Sequence, residues 1–254
     1  MQRFSRHLPA LVTAAGFLIA PIARGQLTTF AQFFQQDSGT NAFFYQSSGV
    51  AGSGGSATFN SSNTPIYFNF SNSIAGLPAD LTGIQNAHLT FTSFTTLGPT
   101  TASGGFIENF NGSGANSAMI TITRDTPAGE GNGSRTILLQ VIFTPYNFLG
   151  SGGSGAASAS SLSGTVTFAS DFLDFGAAIQ RDVGLSFSSI VPSLSIGANG
   201  FFNSFSAAGT GTFSSDPIPT FIPEPSTIAM LGAGLLGAAV WVLRRRRIAA
   251  AARA

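Results

Sequence analysis

The chain has 254 residues, only 8% of them charged, with no Cys and no Lys, so all 11 of its cations are Arg. These counts exclude a disulfide framework, a thiol nucleophile, an Fe–S cluster and Cys-ligated zinc, and also a P-loop lysine, a Schiff base or a pyridoxal phosphate anchor. The net charge of +1 hides a segregation: between residues 26 and 222 three Arg stand against nine carboxylates, a formal charge of −6. Nucleic acid as a partner is excluded on that ground, because it needs clustered cations.

Residues 1–25 read as a secretory signal peptide. Arg3 and Arg6 form a basic start, and Leu8 to Ile22 is apolar apart from Thr13, Gly16 and two prolines. Ala23 and Gly25 then supply small residues for cleavage before Gln26. Export by a Sec-type machinery follows. An uncleaved anchor is disfavoured by the short apolar run with Pro9 and Pro21 inside it. Gln26 stands where lipoprotein processing needs Cys.

From Gln26 to Ile222 the chain alternates with period two. Ile66, Phe68 and Phe70 alternate with Tyr67, Asn69 and Ser71, and Ala87, Leu89 and Phe91 with His88, Thr90 and Thr92. Ala118, Ile120 and Ile122 share one face, as do Val183, Leu185 and Phe187. Thr136 to Phe143 is nearly continuous apolar sequence and is read as a central strand. Gly/Ser/Asn clusters separate these runs at Gly49 to Ser56, Gly98 to Gly105, Asn111 to Ser117 and Thr126 to Ser134. The longest, Gly150 to Gly164, reads as a mobile loop. A short helix is expected around Asp171 to Gln180.

Many short strands with turn signals between them predict an all-β fold, an antiparallel sandwich or jelly roll, over residues 26–216, with 217–222 as a linker. Phe is the bulky core residue, since 23 of the 25 follow Gln26. Thr and Ser fill the outward positions and cover a sheet face without charge. Disorder is the competing reading for so Gly- and Ser-rich a body; the aromatic content and clean alternation argue against it.

Residues with catalytic or ligating chemistry are few. His88 is the one histidine after the signal peptide and falls on the polar face of its strand. No G-x-S-x-G elbow is present, and a Ser–His–Asp arrangement through His88 stays open because triad members can be distant in sequence. Asp171 and Asp174 would share a face only on a helix; paired carboxylates serve glycosidases, and a solvated pair is the plainer reading. The loop from Arg124 to Gly133 offers Asp125 and Glu130 as weak metal ligands, but its spacing misses the calcium-loop pattern, and a hairpin connection is the plainer reading. Asn60, Asn69, Asn111 and Asn132 begin glycosylation sequons, to which no role is attached. No cofactor is expected.

The C-terminal segment is more specific. Pro223, Glu224 and Pro225 precede an uncharged apolar run, and Arg244, Arg245, Arg246 and Arg247 follow it. Ser226 to Leu243 spans 18 residues, about 27 Å as a helix, enough for one transmembrane crossing. Trp241 suits an interface, and the four Arg would stay cytoplasmic. Gly232, Gly234 and Gly237 spell G-x-G-x-x-G, but inside an apolar span they suit helix packing in lipid better than a dinucleotide.

This order of Pro-Glu-Pro, helix and Arg cluster resembles the PEP-CTERM sorting signal of exopolysaccharide-producing Gram-negative bacteria. Ile248 to Ala254 extends past the Arg cluster, where many members stop. The resemblance implies that an exosortase, a membrane-embedded transpeptidase-like enzyme, acts near Pro223, Glu224 and Pro225, with this chain as its substrate. Pro223 and Pro225 fix φ and keep the segment extended for such a cleft.

The expectation is an exported protein, anchored in the inner membrane facing the periplasm and then processed to the cell surface or extracellular matrix. Its role is expected to be structural or adhesive, with exopolysaccharide as a partner, and not enzymatic. A carbohydrate-binding module is the alternative, with Tyr45, Tyr67 or Tyr146 exposed for stacking; a glycan-active enzyme is the second. Flat, uncharged edge strands should also pair between copies.

Overall fold

The structure is a computed structural model that describes residues 26–48, 56–92, 101–102, 106–110, 118–125, 135–144, 146–160, 165–198, 200–222, 234–237 and 241. Fifteen strands lie among the described residues. The first seven are β1 (Thr28–Gln35), β2 (Phe43–Ser48), β3 (Ser56–Phe70), β4 (Ile84–Thr92), β5 (Thr101–Ala102), β6 (Phe106–Phe110) and β7 (Ala118–Arg124). Then come β8 (Ile137–Thr144), β9 (Tyr146–Gly150), β10 (Ala157–Ser160), β11 (Thr165–Ala169), β12 (Leu173–Asp174), β13 (Gln180–Val191), β14 (Phe205–Asp216) and β15 (Thr220–Phe221).

The fold is all-β and antiparallel, as the turn-punctuated alternation predicts. Thirteen strands share one sheet in the order β11-β8-β7-β4-β3-β1-β14-β13-β10-β9-β6-β5, with β2 paired to both β3 and β14. β1 and β2 occupy the same slot. β1 pairs with Ile66 to Phe70 of β3, and β2 with Ser56 to Asn60 of the same strand. They act as one strand interrupted by the excursion 36–42. Gln35 anchors that excursion: its amide nitrogen donates to the carbonyls of Asp37 and Thr40, and its Oε1 accepts from Gly209 N.

The sheet curls until rings from distant strands meet. Phe59 on β3 lies 4.9 Å from Phe187 on β13 and 5.7 Å from Phe148 on β9. Phe30 on β1 meets Phe168 on β11 at 5.1 Å. Each alternating run identified above turns its apolar members inward: Ile66, Phe68, Phe70, Ala87, Leu89, Ala118, Ile120, Ile122, Val183, Leu185 and Phe187 are all buried. Burying one such Phe is worth about 1.5 to 3 kcal/mol, so the ring cluster is the main source of cohesion.

Bulges adjust this alternation. In β1 the register slips between Thr29 and Ala31, which puts both Phe30 and Ala31 inside and leaves Thr29 and Gln32 outside. In β8 the register with β7 slips at Leu138, so Leu138 and Leu139 are both buried. That slip accounts for the continuous apolar run. β8 is flanked on both sides, by β11 and β7, but sits one strand from the end of the order rather than at its middle.

Two expectations are corrected. Asp171 to Gln180 is not a helix: Leu173–Asp174 is strand β12, paired with β15, and Gln180 begins β13. Asp174 accepts from Gly176 N two residues on, a local bond that favours a turn over helix, and Asp171 is held by Thr136 N and Ile137 N of a distant segment. The segment 150–164 is not loop throughout either. Ala157–Ser160 is strand β10, held between β9 and β13, and its small side chains make its two-residue period faint in the sequence.

Candidate functional site

The route by which the body hands the chain to its C-terminal segment is short and well tied. β14 ends at Asp216, whose carbonyl accepts from Ile179 N at 2.8 Å. Thr220–Phe221 then pairs with Leu173–Asp174, and Ile222 N donates to Phe172 O at 2.8 Å. The expected linker thus carries β15. Pro223 has no N–H, so the ladder cannot be continued through it.

The strap that receives β15 is itself pinned. One oxygen of Asp171, Oδ2, accepts from Thr136 N at 2.9 Å and Ile137 N at 2.8 Å. Ser170 Oγ donates to Leu138 O at 2.7 Å. The Arg135 guanidinium lies 6.0 Å from the centre of the Phe172 ring, and Arg181 Nη2 donates to Phe175 O at 2.9 Å. Two of the three body arginines therefore stabilise this exit.

Other residues singled out in the sequence fall as follows. Pro223, Glu224, Pro225, Arg244 to Arg247, Ala23, Gly25 and Glu130 lie outside the described residues. Gln26 is exposed just ahead of β1. Residues 234–237 and 241 are helical, with Leu235, Leu236 and Trp241 exposed. Among the described residues no helix is long and apolar enough to cross a membrane; most of the predicted span lies outside them.

His88 stands on the polar face, and Asp125 holds its Nδ1 at 2.7 Å, with both side chains partly exposed. The sequence reading had not paired these two. β4 and β7 bring them together because Ala87 and Arg124 are register partners. Beside them Arg124 pairs with Asp80 at 3.2 Å. Among the described residues no three of His, Cys, Asp and Glu gather as a metal site. Asp174 accepts from Gly176 N, and Asp37 from Gly39 N and Thr40 Oγ1.

The stacking candidates need correction. Tyr45 is buried, its ring stacked on Phe205 at 5.0 Å, because β2 turns it into the core. Tyr67 is half-buried beside Phe34 at 5.2 Å. The side chain of Tyr146 lies outside the described part. A feature the sequence reading missed is a depression of about 380 Å³ lined by Thr29, Ala31, Gln32, Asn69, Ser71 and Asn72. Its signal was the amide and hydroxyl content of the outward positions.

The whole is an all-β body tied, through a two-residue strand, to a C-terminal segment of different composition. Residues 221–247 match the PEP-CTERM protein-sorting motif. That motif implies export, sorting to the cell surface and an exosortase as processing partner. No curated protein and no solved structure matches the chain.

Proposed function

We propose that this chain enters the export path through a cleaved signal peptide and halts in the inner membrane by its apolar span and Arg cluster. Processing near Pro223, Glu224 and Pro225 then releases the body to the cell surface or matrix. The observation that carries this reading is the position of the sorting motif, whose match begins at residue 221 within the last tethered strand. A protease-like enzyme grips extended backbone, and β15 delivers extended backbone to its motif.

The body is read as structural or adhesive, in contact with a polysaccharide matrix, and not as an enzyme. Support comes from its side chains: the carboxylates of Asp37, Asp171 and Asp174 accept backbone N–H groups, and that of Asp80 pairs with Arg124.

Intact mass and peptide mapping of protein from its native envelope and medium tests the sorting reading. A C-terminus between Pro223 and Thr227 supports it. A C-terminus at Ala254 in all fractions overturns it and leaves a permanently anchored protein.

A further inference from the structure

We infer that the depression on the outer face of β1 and β3 is a binding site for a neutral oligosaccharide. It is lined by Thr29, Ala31, Gln32, Asn69, Ser71 and Asn72. None of the six is ionisable, which disfavours an ion as the ligand. Three are amides, each offering two donors and one acceptor in a plane, and two are hydroxyls. Sugar hydroxyls both donate and accept, so a pair of neighbouring ring hydroxyls matches such amides without a charge being buried. The β1 bulge builds the site: it turns Thr29 and Gln32 outward together while Ala31, almost fully buried, lies beneath them.

A second observation is the aromatic pair that continues the same face. Asn69 and Gln32 are register partners across β1 and β3, so their side chains stand side by side. Two residues further along β1, Phe34 is the register partner of Tyr67, their rings 5.2 Å apart and both partly exposed. Two strand residues span about 7 Å, so rings and amides form one extended site. The half-exposed Tyr67 ring, which carries a polar tip, and the Phe34 ring beside it offer apolar surface to the C–H face of a pyranose.

The inference deepens the adhesive part of the proposed function and rests on it there; it is independent of sorting. The test uses the full chain in a zwitterionic detergent that has no sugar headgroup. Calorimetric titration is run with neutral hexasaccharides of glucose, mannose and galactose, and with a hexagalacturonate. Saturable binding of a neutral hexasaccharide is expected, insensitive to salt and weakened about tenfold or more by Gln32→Ala or Asn69→Ala, the effect of one lost polar contact. Gln32 is exposed, so its variant keeps the fold, and Ser186→Ala, on another strand, should leave affinity unchanged. Absence of binding by every neutral hexasaccharide, or binding unchanged in both amide variants, overturns the site. Preference for the hexagalacturonate with strong salt dependence also overturns it. A C-terminus correctly processed in the cell alongside failed binding would remove the sugar site and leave the sorting reading intact.

Discussion

The N–H of Ile222 is bonded to the carbonyl of Phe172 at 2.8 Å, one residue before Pro223. The body thus ends on a backbone hydrogen bond whose acceptor belongs to the 170–176 strap. Whatever holds that strap holds the entry to the sorting segment.

Asp171 is the main fastening. Asp171→Ala leaves the N–H groups of Thr136 and Ile137 without their acceptor; both residues are half-buried, so each costs toward the lower end of the about 1 to 3 kcal/mol of a fully buried unsatisfied donor. A loss of about 2 to 3 kcal/mol in urea unfolding is expected, together with faster proteolysis between 217 and 222. An unchanged midpoint and unchanged cleavage there would show that the strap is held by other contacts.

Glycines in β14 make room for rings. A Cβ on Gly211 would collide with the Phe33 ring and stand 2.8 Å from Leu185 Cδ2, and one on Gly209 would stand 2.5 Å from Phe43 Cε2. Gly211→Ala should destabilise by about 1 to 3 kcal/mol through overpacking. Gly155→Ala meets open space and should change stability by less than about 0.5 kcal/mol, as surface changes do. Equal effects in thermal unfolding would discount the ring-packing account.

Phe59 sits at the crossing of the curled sheet, touching Phe43, Phe91, Phe148, Phe187 and Phe205. Phe59→Ala should lose about 3 to 5 kcal/mol. Phe44, 45% exposed on the neighbouring strand, should lose less than about 1 kcal/mol on the same change. Denaturant midpoints of the two variants decide the point; similar losses would contradict this placement of the core.

The Asp37 carboxylate is held below its ordinary 3.8, first by the Thr40 hydroxyl and then by Gly39 N. Its folded value lies below its unfolded one, so protonation favours the unfolded chain. The contribution is complete above about pH 3.8 and is lost as pH falls through the lower folded value. The unfolding temperature of the native chain should therefore drop more steeply below that pH than that of Asp37→Asn. Parallel curves would remove the 36–42 excursion from the acid response.

The strands legible in the sequence were those whose alternation was unbroken, such as Ile66 to Phe70 and Ala118 to Ile122. β1 was hidden by its bulge, which sets Phe30 and Ala31 side by side in the core. β14 was hidden because Gly209 and Gly211 resemble turn residues until the rings above them are seen. β10 has only Ala to mark its inner face. The sorting segment was legible because covalent order alone defines it. The amide depression was not, since Gln32 and Asn69 become neighbours only through strand register, as do His88 and Asp125 through theirs.

The shared slot of β1 and β2 has a consequence in time. Thr29 and Ser214, 185 residues apart, touch at 3.1 Å. In a chain that crosses a membrane N-terminus first, the earliest strands must wait for nearly the last one before they are enclosed, and such distant pairing is slow. β14 ends at Asp216 and the sorting match begins at residue 221. Closure of the sheet and emergence of the sorting segment therefore coincide, so a chain stalled before β14 emerges presents the open edge of β1 and β2 instead of a finished surface.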